Sequence, residues 1–387
     1  MHFDEKMIEA FIKKVREIYG DAFIPLHRPV FEGNEIDYLK QAVESNFVSS
    51  VSEFVPRFEN SIKNFTGSKF AVATVNGTSA LHLSLMISGV NEGDEVITQA
   101  LTFVATCNAI AYLKAKPIFV DVDKDTMGMS PDYLEAFLDH FGEIRNGEVY
   151  NKFSDRRIAA CLPVHTYGIP CRISRIRSIC DKWGLTLVED CAEALGSFSD
   201  QKHTGTFGNI GVFSFNGNKI ITTGGGGMIC TDDKDLAVRA RHLSTTAKIS
   251  HKTQFVHDAI GYNYRLPGIC AALGVAQMEQ LPYMLRVKAD LAETWRNFFE
   301  KYNILMPNSL TNDVFNNWFN SVILASPDQK DKFLQITNDA GVMTRPFWSL
   351  MSDLKMYSSC QKDHLVNSRW LEERVVAISS SVPFEIQ

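Results

Sequence analysis

The sequence lacks the features that mark several classes of protein. Its eight cysteines form no Cys-x-x-Cys pair, and no nearby histidine completes a zinc-ligand spacing. Several lie in apolar runs such as residues 158–162, which is typical of reduced core thiols, so we expect no metal site. The 39 basic and 45 acidic residues give a net charge of −6 without a long run of one sign. A nucleic-acid binder shows a basic stripe, so we expect no nucleic-acid partner.

Long hydrophobic segments are also missing. The longest stretch with little charge, residues 96–113, contains Gln99, Asn108 and three threonines. Such polarity predicts a strand, a turn and a buried helix rather than a membrane span. Residues 1–6 lack the apolar core of a signal peptide. We therefore expect a cytoplasmic protein without a membrane partner.

What is present is the composition of a globular protein of enzyme size. Of the 387 residues, 45% are hydrophobic and 22% are charged. This length is typical of two domains, or of one large α/β domain with an appendage. Apolar residues recur at helical spacing over residues 3–18, which predicts an amphipathic helix at the N-terminus.

Short apolar runs alternate with helical patterns from residue 69 onward. The predicted strands are residues 70–74, 95–98, 117–122, 158–164, 185–189, 211–215 and 227–231, and the predicted helices are residues 79–87, 103–113, 131–141 and 173–183. This alternation indicates an α/β fold with a mostly parallel sheet covered on both faces. A helix over 271–302, a strand over 318–324 and a helix over 329–340 predict a smaller α+β domain. We expect a large domain at 21–265 and a small domain at 266–387, with helix 1–20 packing on the small one.

In a parallel sheet, ligands bind in the turns that follow the strands. One such turn contains Lys219 and is followed by four consecutive glycines, Gly224 to Gly227. Four glycines are entropically costly, so they indicate a positive φ or a close approach of the backbone. As a residue type alone, Lys219 is more often a solvated loop lysine. The functional alternative is a lysine that forms a Schiff base, with small residues leaving room for a flat cofactor.

A second turn contains Asp190, directly after the apolar strand 185–189. One interpretation is a helix N-cap. The other is a carboxylate that keeps the ring nitrogen of pyridoxal phosphate protonated, as partner of a Schiff-base lysine. Gly77-Thr-Ser-Ala opens a predicted helix whose first N–H groups could bind a phosphate, although serine and threonine are also ordinary caps. Phe103 is either a core side chain or a ring that stacks on an aromatic cofactor.

Taken together and in this order, these motifs resemble the DegT/DnrJ/EryC1/StrS family of pyridoxal-phosphate-dependent sugar-nucleotide aminotransferases. The resemblance covers nearly the whole chain, and its motifs are Gly77-Thr-Ser-Ala, Thr102-Phe, Val188-Glu-Asp-Cys-Ala-Glu, Ser214-Phe with Lys219 and the glycine run, and Gly261-Tyr-Asn-Tyr-Arg. It implies the fold-type-I aminotransferase fold, with a large mostly parallel sheet domain and a smaller C-terminal α+β domain. It also implies a homodimer with active sites at the subunit boundary.

The resemblance implies a role for each matching residue. Lys219 is then the Schiff-base lysine, and Asp190 is the partner of the ring nitrogen. The other cofactor-binding residues that it implies are Thr78, Ser79 and Ser214 at the phosphate, Phe103 on the ring, Glu193 near the 3-oxygen, and Asn263 at the cofactor of the partner subunit. His165, Ser49 and Arg345 are expected to contact the substrate. A dehydratase branch of the family has histidine at the lysine position, so Lys219 favours amino transfer.

Residues 25–35, 46–51 and 123–131 are similar to the branch that serves legionaminic acid and bacillosamine pathways. This similarity implies transfer of an amino group from L-glutamate to the C4 ketone of UDP-2-acetamido-2,6-dideoxy-4-ketohexose. The product is then UDP-4-amino-4,6-dideoxy-N-acetylglucosamine, a precursor of bacterial surface glycans. An alternative is a GDP- or dTDP-4-keto-6-deoxyhexose aminotransferase of the perosamine type. A cofactor-bearing regulatory protein is a third possibility, which the charge pattern disfavours.

Overall fold

The computed structural model describes residues 3–383. Its helices are α1 Glu5–Tyr19, α2 Glu35–Glu44, α3 Phe54–Thr66, α4 Gly77–Ile87, α5 Val104–Tyr112, α6 Pro131–Phe141, α7 Ile173–Trp183, α8 Lys234–Ser244, α9 Gly268–Glu300, α10 Pro327–Asp339 and α11 Val366–Glu372. Its strands are β1 Phe70–Thr74, β2 Glu95–Gln99, β3 Lys116–Val120, β4 Gly142–Arg145, β5 Glu148–Asn151, β6 Arg156–Leu162, β7 Thr186–Asp190, β8 Phe198–Ser199, β9 Lys202–His203, β10 Ile210–Ser214, β11 Gly227–Thr231, β12 Lys248–Ile249, β13 Val256–His257, β14 Asn320–Ile323, β15 Arg345–Pro346 and β16 Val375–Ile378.

The main sheet has nine strands, and its central order is β1-β11-β10-β7-β6-β2-β3. The strands from β10 to β3 are parallel to one another, whereas β11 is antiparallel to both β1 and β10. The predicted α/β architecture is therefore confirmed. Strands β4 and β5 form a hairpin, and β5 pairs antiparallel with β6. This hairpin was not predicted. Asn146 and Gly147, both at positive φ, form its two-residue turn, so this Asn-Gly pair is the local sequence signal for the hairpin.

Helices cover both faces of this sheet. Successive strand residues point to opposite faces, so Val212 packs in a core with α4 and α8, whereas Phe213 packs in a core with α3 and α9. A third core lies between the β2–β3 edge and helices α6 and α7. Because both faces are buried, the central strands are apolar throughout rather than alternating, which is why the sequence pattern identified them.

A second, three-stranded sheet of order β14-β16-β15 lies in the C-terminal part of the chain. Its core contains the buried face of α1, the second half of α9, and α10. Phe11 of α1 lies 5.4 Å from the ring of Trp295 and 5.2 Å from that of Phe333, measured between centroids. The N-terminal helix therefore packs on this sheet, with Asp4 capping it by accepting the Met7 N–H.

Helix α9 links the two cores as one continuous element of 33 residues. Ala271 and Met278 in its first half pack in the core beside the main sheet, whereas Leu291 and Trp295 in its second half pack beside the small sheet. A domain boundary at residue 266 stays a prediction, and residues 1–2 and 384–387 of the predicted ranges lie outside the described residues. Within residues 3–383, none of the helices combines the length and the apolar content needed to cross a bilayer.

We expect Phe11→Ala to lower the free energy of unfolding by about 3–5 kcal/mol, because it removes a fully buried ring from an aromatic cluster. Urea unfolding followed by circular dichroism measures this loss. The matched control is Glu9→Ala, an exposed position of the same helix, which should change the stability by less than about 0.5 kcal/mol. Equal stability of the two variants would show that α1 does not form part of the C-terminal core.

Candidate active site

A cavity of about 350 Å³ lies at the carboxyl ends of the parallel strands. Each of β1, β2, β6, β7 and β10 ends at a turn that contributes to its wall, as expected for an open α/β sheet. The lining residues are Asn76, Gly77, Thr78, Leu81, Thr102, Phe103, Ala105, Thr106, Val164, Asp190, Ala192, Glu193, Ser214, Asn216, Asn218, Lys219, Trp318, Phe319 and Trp348. The structure therefore brings Lys219, Asp190, Glu193, Thr78, Ser214 and Phe103 together, as the sequence predicted.

Lys219 lies in the loop after β10, and its side chain is only 13% exposed. Its Nζ is 3.3 Å from Glu193 Oε1 and 4.1 Å from the centroid of the Trp318 ring. Burial raises the pKa of the Glu193 carboxyl, and the neighbouring Lys219 lowers it. The interpretation of Lys219 as a solvated loop residue is wrong, because the amine lies between a buried carboxylate and an indole ring at the cavity wall.

Asp190 is the last residue of β7, and it is 3% exposed. Its Oδ2 accepts a hydrogen bond of 2.8 Å from the Thr106 hydroxyl, and its Oδ1 accepts one of 3.1 Å from the Ala192 N–H. Burial raises the pKa of this carboxyl, whereas the Thr106 hydroxyl lowers it. Turns rather than a helix follow Asp190, so it is not a helix N-cap. It presents a hydrogen-bonded carboxyl group to the cavity.

A cradle for an anion lies at the N-terminus of α4. Asn76 caps this helix by accepting the Ser79 N–H, and the first N–H groups of a helix have no acceptor within it. A Cβ at Gly77 would lie 2.8 Å from Ser214 Cβ, so the missing side chain lets the helix start approach the end of β10. Thr78 and Ser214 line the cavity here, whereas Ser79 contributes its backbone to the cap and is not in the wall. Helix dipole, amides and hydroxyls together suit a phosphate group.

Aromatic side chains form the opposite side of the cavity. This aromatic wall consists of Phe103, Trp318, Phe319 and Trp348. Phe103 is 53% exposed, and its ring meets that of Trp348 edge-on at 6.2 Å between centroids. Trp318 stacks on Phe319 with 3.7 Å between centroids and donates its indole N–H to the Asn218 carbonyl. Trp318, Phe319, Trp348 and Thr106 were not predicted as site residues. No local motif marks them. Trp318, Phe319 and Trp348 come from the C-terminal part of the chain and reach the cavity only by tertiary packing.

His165 is not in the cavity wall, although the sequence predicted that it would line the pocket. Its ring is fully buried, with Nε2 3.1 Å from Glu189 and Nδ1 accepting the Cys171 N–H. Because Nδ1 accepts a hydrogen bond, the ring proton lies on Nε2 and points to Glu189. Cys191 lies close to this pair. His165 is thus a core residue behind the strand ends, since its side chain points away from the cavity.

Three other predicted residues also lie outside the cavity wall in the single chain. Ser49 is exposed, and its carbonyl accepts the Gly268 N–H. Arg345 is exposed in β15 and donates to Asn338 Oδ1 and the Thr344 carbonyl. Asn263 is exposed too, in a short antiparallel bridge to Thr245. The role of Asn263 in a partner's site therefore stays a prediction.

Comparison with known proteins agrees with this arrangement. A sequence profile of the DegT/DnrJ/EryC1/StrS aminotransferase family matches residues 29–385. The chain is 36% identical over 343 residues to GDP-perosamine synthase of Escherichia coli O157:H7, covering 88% of this chain and 89% of that protein. It is 33% identical over 336 residues to GDP-perosamine synthase of Vibrio cholerae, covering 86% and 87%. The crystal structure of the aminotransferase TlmJ from Streptoalloteichus hindustanus superposes with a TM-score of 0.83 at 26% identity, covering 92% and 93%.

We expect Thr106→Val to raise the pKa of Asp190 further, because the hydroxyl stabilises the charged carboxylate and valine cannot donate. Titration of carboxyl ¹³C resonances in aspartate-labelled protein measures this pKa, with Asp190→Asn assigning the signal. Thr106→Ser is the matched control, and it should leave the pKa near that of the parent chain. An unchanged pKa in Thr106→Val would show that the hydroxyl does not stabilise the carboxylate.

Proposed function

Because this chain belongs to the DegT/DnrJ/EryC1/StrS aminotransferase family, it is a pyridoxal-phosphate-dependent sugar aminotransferase, and we propose that it aminates the C4 ketone of a nucleotide-linked 4-keto-6-deoxyhexose. The observation that carries the proposal is the pair of buried groups, Lys219 and Asp190, which face one cavity from the ends of the neighbouring strands β10 and β7. A cofactor of this kind needs an amine at its aldehyde and an acid at its ring nitrogen.

The residues of the cavity fit pyridoxal phosphate. The cavity volume of about 350 Å³ lies in the range of small-molecule sites. Thr78, Ser214 and the first amides of α4 would hold the phosphate, and Phe103 would contact the ring. Glu193 would bind the 3-oxygen, and Asp190 would keep a proton on the ring nitrogen. When bound, the cofactor supplies a carbon that carries the amino group and a ring that takes up electrons.

Lys219 moves the protons of the reaction. In the first half, its neutral amine removes the proton from the α-carbon of the amino donor, which we propose to be L-glutamate. The amine would pass that proton to the cofactor carbon that receives the amino group. In the second half, it would take a proton back from the same carbon and deliver it to C4 of the sugar. The Glu193 carboxylate, 3.3 Å from Nζ, is the ion-pair partner that stabilises the amine whenever it holds a proton. The aromatic wall keeps water from the reacting atoms.

The nucleotide of the acceptor is the finer part of the proposal. Two relatives that cover most of this chain are GDP-perosamine synthases. They support a GDP-linked 4-keto-6-deoxyhexose better than the UDP-linked N-acetylated sugar that the N-terminal motifs implied. We therefore place the GDP-linked sugar first, with the UDP-linked sugar as the second candidate because of residues 25–35 and 46–51.

The proposal includes a homodimer whose active sites lie at the subunit boundary. Phe47 and Val51 are exposed apolar residues, with 60% and 72% of their surface accessible. Arg265 donates to the Ser50 carbonyl, so this apolar segment lies beside the segment that carries the exposed Asn263. Exposed large apolar side chains beside a residue predicted to reach the partner subunit support a subunit contact on this face. Light scattering of the purified protein measures the assembly.

We expect the protein to convert GDP-4-keto-6-deoxyhexose to an amino sugar in the presence of L-glutamate and pyridoxal phosphate. Mass spectrometry of the product compares the GDP-, dTDP- and UDP-linked 4-ketosugars in parallel reactions. Amination of only the UDP-linked N-acetylated sugar would reverse the order of the two candidates. Failure with all three sugars, while glutamate is still consumed in the first half-reaction, would overturn the proposed acceptor.

We expect Lys219→Ala to lower the rate of amino transfer by at least about 10²-fold, because it removes the group that moves the proton. Binding of pyridoxal phosphate, measured by equilibrium dialysis, should persist, since the phosphate cradle and Asp190 remain. Lys202→Ala, an exposed lysine outside the cavity, is the matched control. An activity of Lys219→Ala close to that of this control would exclude the proposed role.

A further inference from the structure

Lys288 is a charged side chain with no accessible surface, in the middle of α9. Its Nζ donates to three main-chain carbonyls, those of Asn317 at 3.3 Å, Trp318 at 3.2 Å and Ser380 at 2.6 Å. Among residues 3–383 no carboxylate forms an ion pair with it. An ammonium group has three N–H donors and no acceptor, so three carbonyls match its protonated form. Burying a cation without a counter-ion costs free energy, so the position of Lys288 calls for an explanation.

Two of the three carbonyls belong to the loop that carries the aromatic wall of the cavity. Asn317 in this loop has a φ of 52°, in the left-handed region that asparagine adopts more readily than most residues other than glycine. The next residue, Trp318, places its ring 4.1 Å from Lys219 Nζ. This turn directs both carbonyls toward Lys288 and the indole toward Lys219. Lys288 therefore supplies the donors for the two carbonyls that this conformation turns into the core.

We propose that Lys288 is a positioning residue, which holds Trp318 against the catalytic lysine by binding the carbonyls of residues 317 and 318. The indole is then fixed at two points, its backbone by Lys288 and its N–H by the Asn218 carbonyl. Asn218 directly precedes Lys219, so both contacts of Trp318 help to fix the position of the Lys219 side chain. The role in catalysis rests on the proposed function of the cavity, whereas the placement of Trp318 does not.

The charge of Lys288 gives the arrangement a dependence on pH. Burial lowers the pKa of Lys288 to about 7. The titratable group that faces it from the N-terminal segment is His27, whose pKa is lowered by burial and by Lys288 and Lys219, so it stays neutral. A neutral amine has only two N–H donors, and its lone pair would face a carbonyl oxygen. As the pH rises through about 7, one carbonyl of the set loses its donor, so the loop becomes less constrained.

The test is ¹⁹F NMR of the full-length chain labelled with 5-fluorotryptophan, recorded with and without pyridoxal phosphate. Trp318→Phe assigns the Trp318 signal among the five tryptophans. In Lys288→Met, which keeps the length of the side chain but not its charge, we expect the Trp318 signal to shift and broaden. The kcat of amino transfer should fall roughly 10- to 100-fold with little change in KM for the sugar, because the misplaced group is the lysine rather than the sugar site.

Leu291→Ala is the matched control, since it damages the core on the next turn of α9 without touching the three carbonyls. It should lower Tm while leaving the Trp318 signal and kcat unchanged. A Lys288→Met protein that behaves like Leu291→Ala in all three measurements would overturn the proposal.

One further measurement needs no variant. In the parent chain, the Trp318 signal should titrate with a midpoint near pH 7, and its failure to move between pH 6 and 9 would contradict the role of the Lys288 charge. If the chain aminates no sugar at all, the proposed function fails, yet the Trp318 signal still decides whether Lys288 positions the indole.

Discussion

Two adjacent carboxylates, Glu189 and Asp190, are buried at the end of the central strand β7, and the surrounding loops are arranged to satisfy them. Burial of an unpaired charge is very costly, so each oxygen needs a donor. Because neighbouring strand residues point to opposite faces, the two carboxyl groups accept hydrogen bonds from different donors. Glu189 accepts N–H groups from Gly205, Phe207 and Gly208, as well as the His165 ring. Asp190 instead faces the cavity, with Thr106 as its hydroxyl partner.

This division explains why one carboxyl faces the cavity while its neighbour is held within the fold. Glu189 is saturated by four donors, and it fixes the loop between β9 and β10 as well as the turn after β6. Asp190 has two donors, and the rest of its surface is open to the cavity. The loop after β10 then brings Lys219 to the same place, where Glu193 provides the opposite charge. The site is thus a small set of buried charges in a cavity whose wall comes from five strand ends.

The resemblance in sequence was most reliable where a motif is local, and least reliable where a side chain's direction matters. Ser214 ends β10, Thr78 lies at the start of α4 just beyond β1, and Lys219 lies in the loop just beyond β10, so their placement at the cavity could be predicted. His165 also follows a strand end, but it turns into the core because Glu189 needs its donor. Ser49 and Arg345 lie on segments whose position depends on how α9 and the small sheet pack. Trp318 and Trp348 were not predicted as site residues, because an aromatic residue in an apolar run is most often a core residue.

The sequence by itself determined the α/β class, the order of the central strands and helices along the chain, and the placement of Lys219 and Asp190 at one cavity. These features depend on local periodicity and on residues adjacent to strand ends, which a linear pattern records. Only the tertiary structure decided which strand is antiparallel and that aromatic side chains from the C-terminal part of the chain close the cavity. The physical reason is that packing rather than local pattern selects these arrangements, as in the Trp318–Asn218 hydrogen bond, which joins residues 100 positions apart.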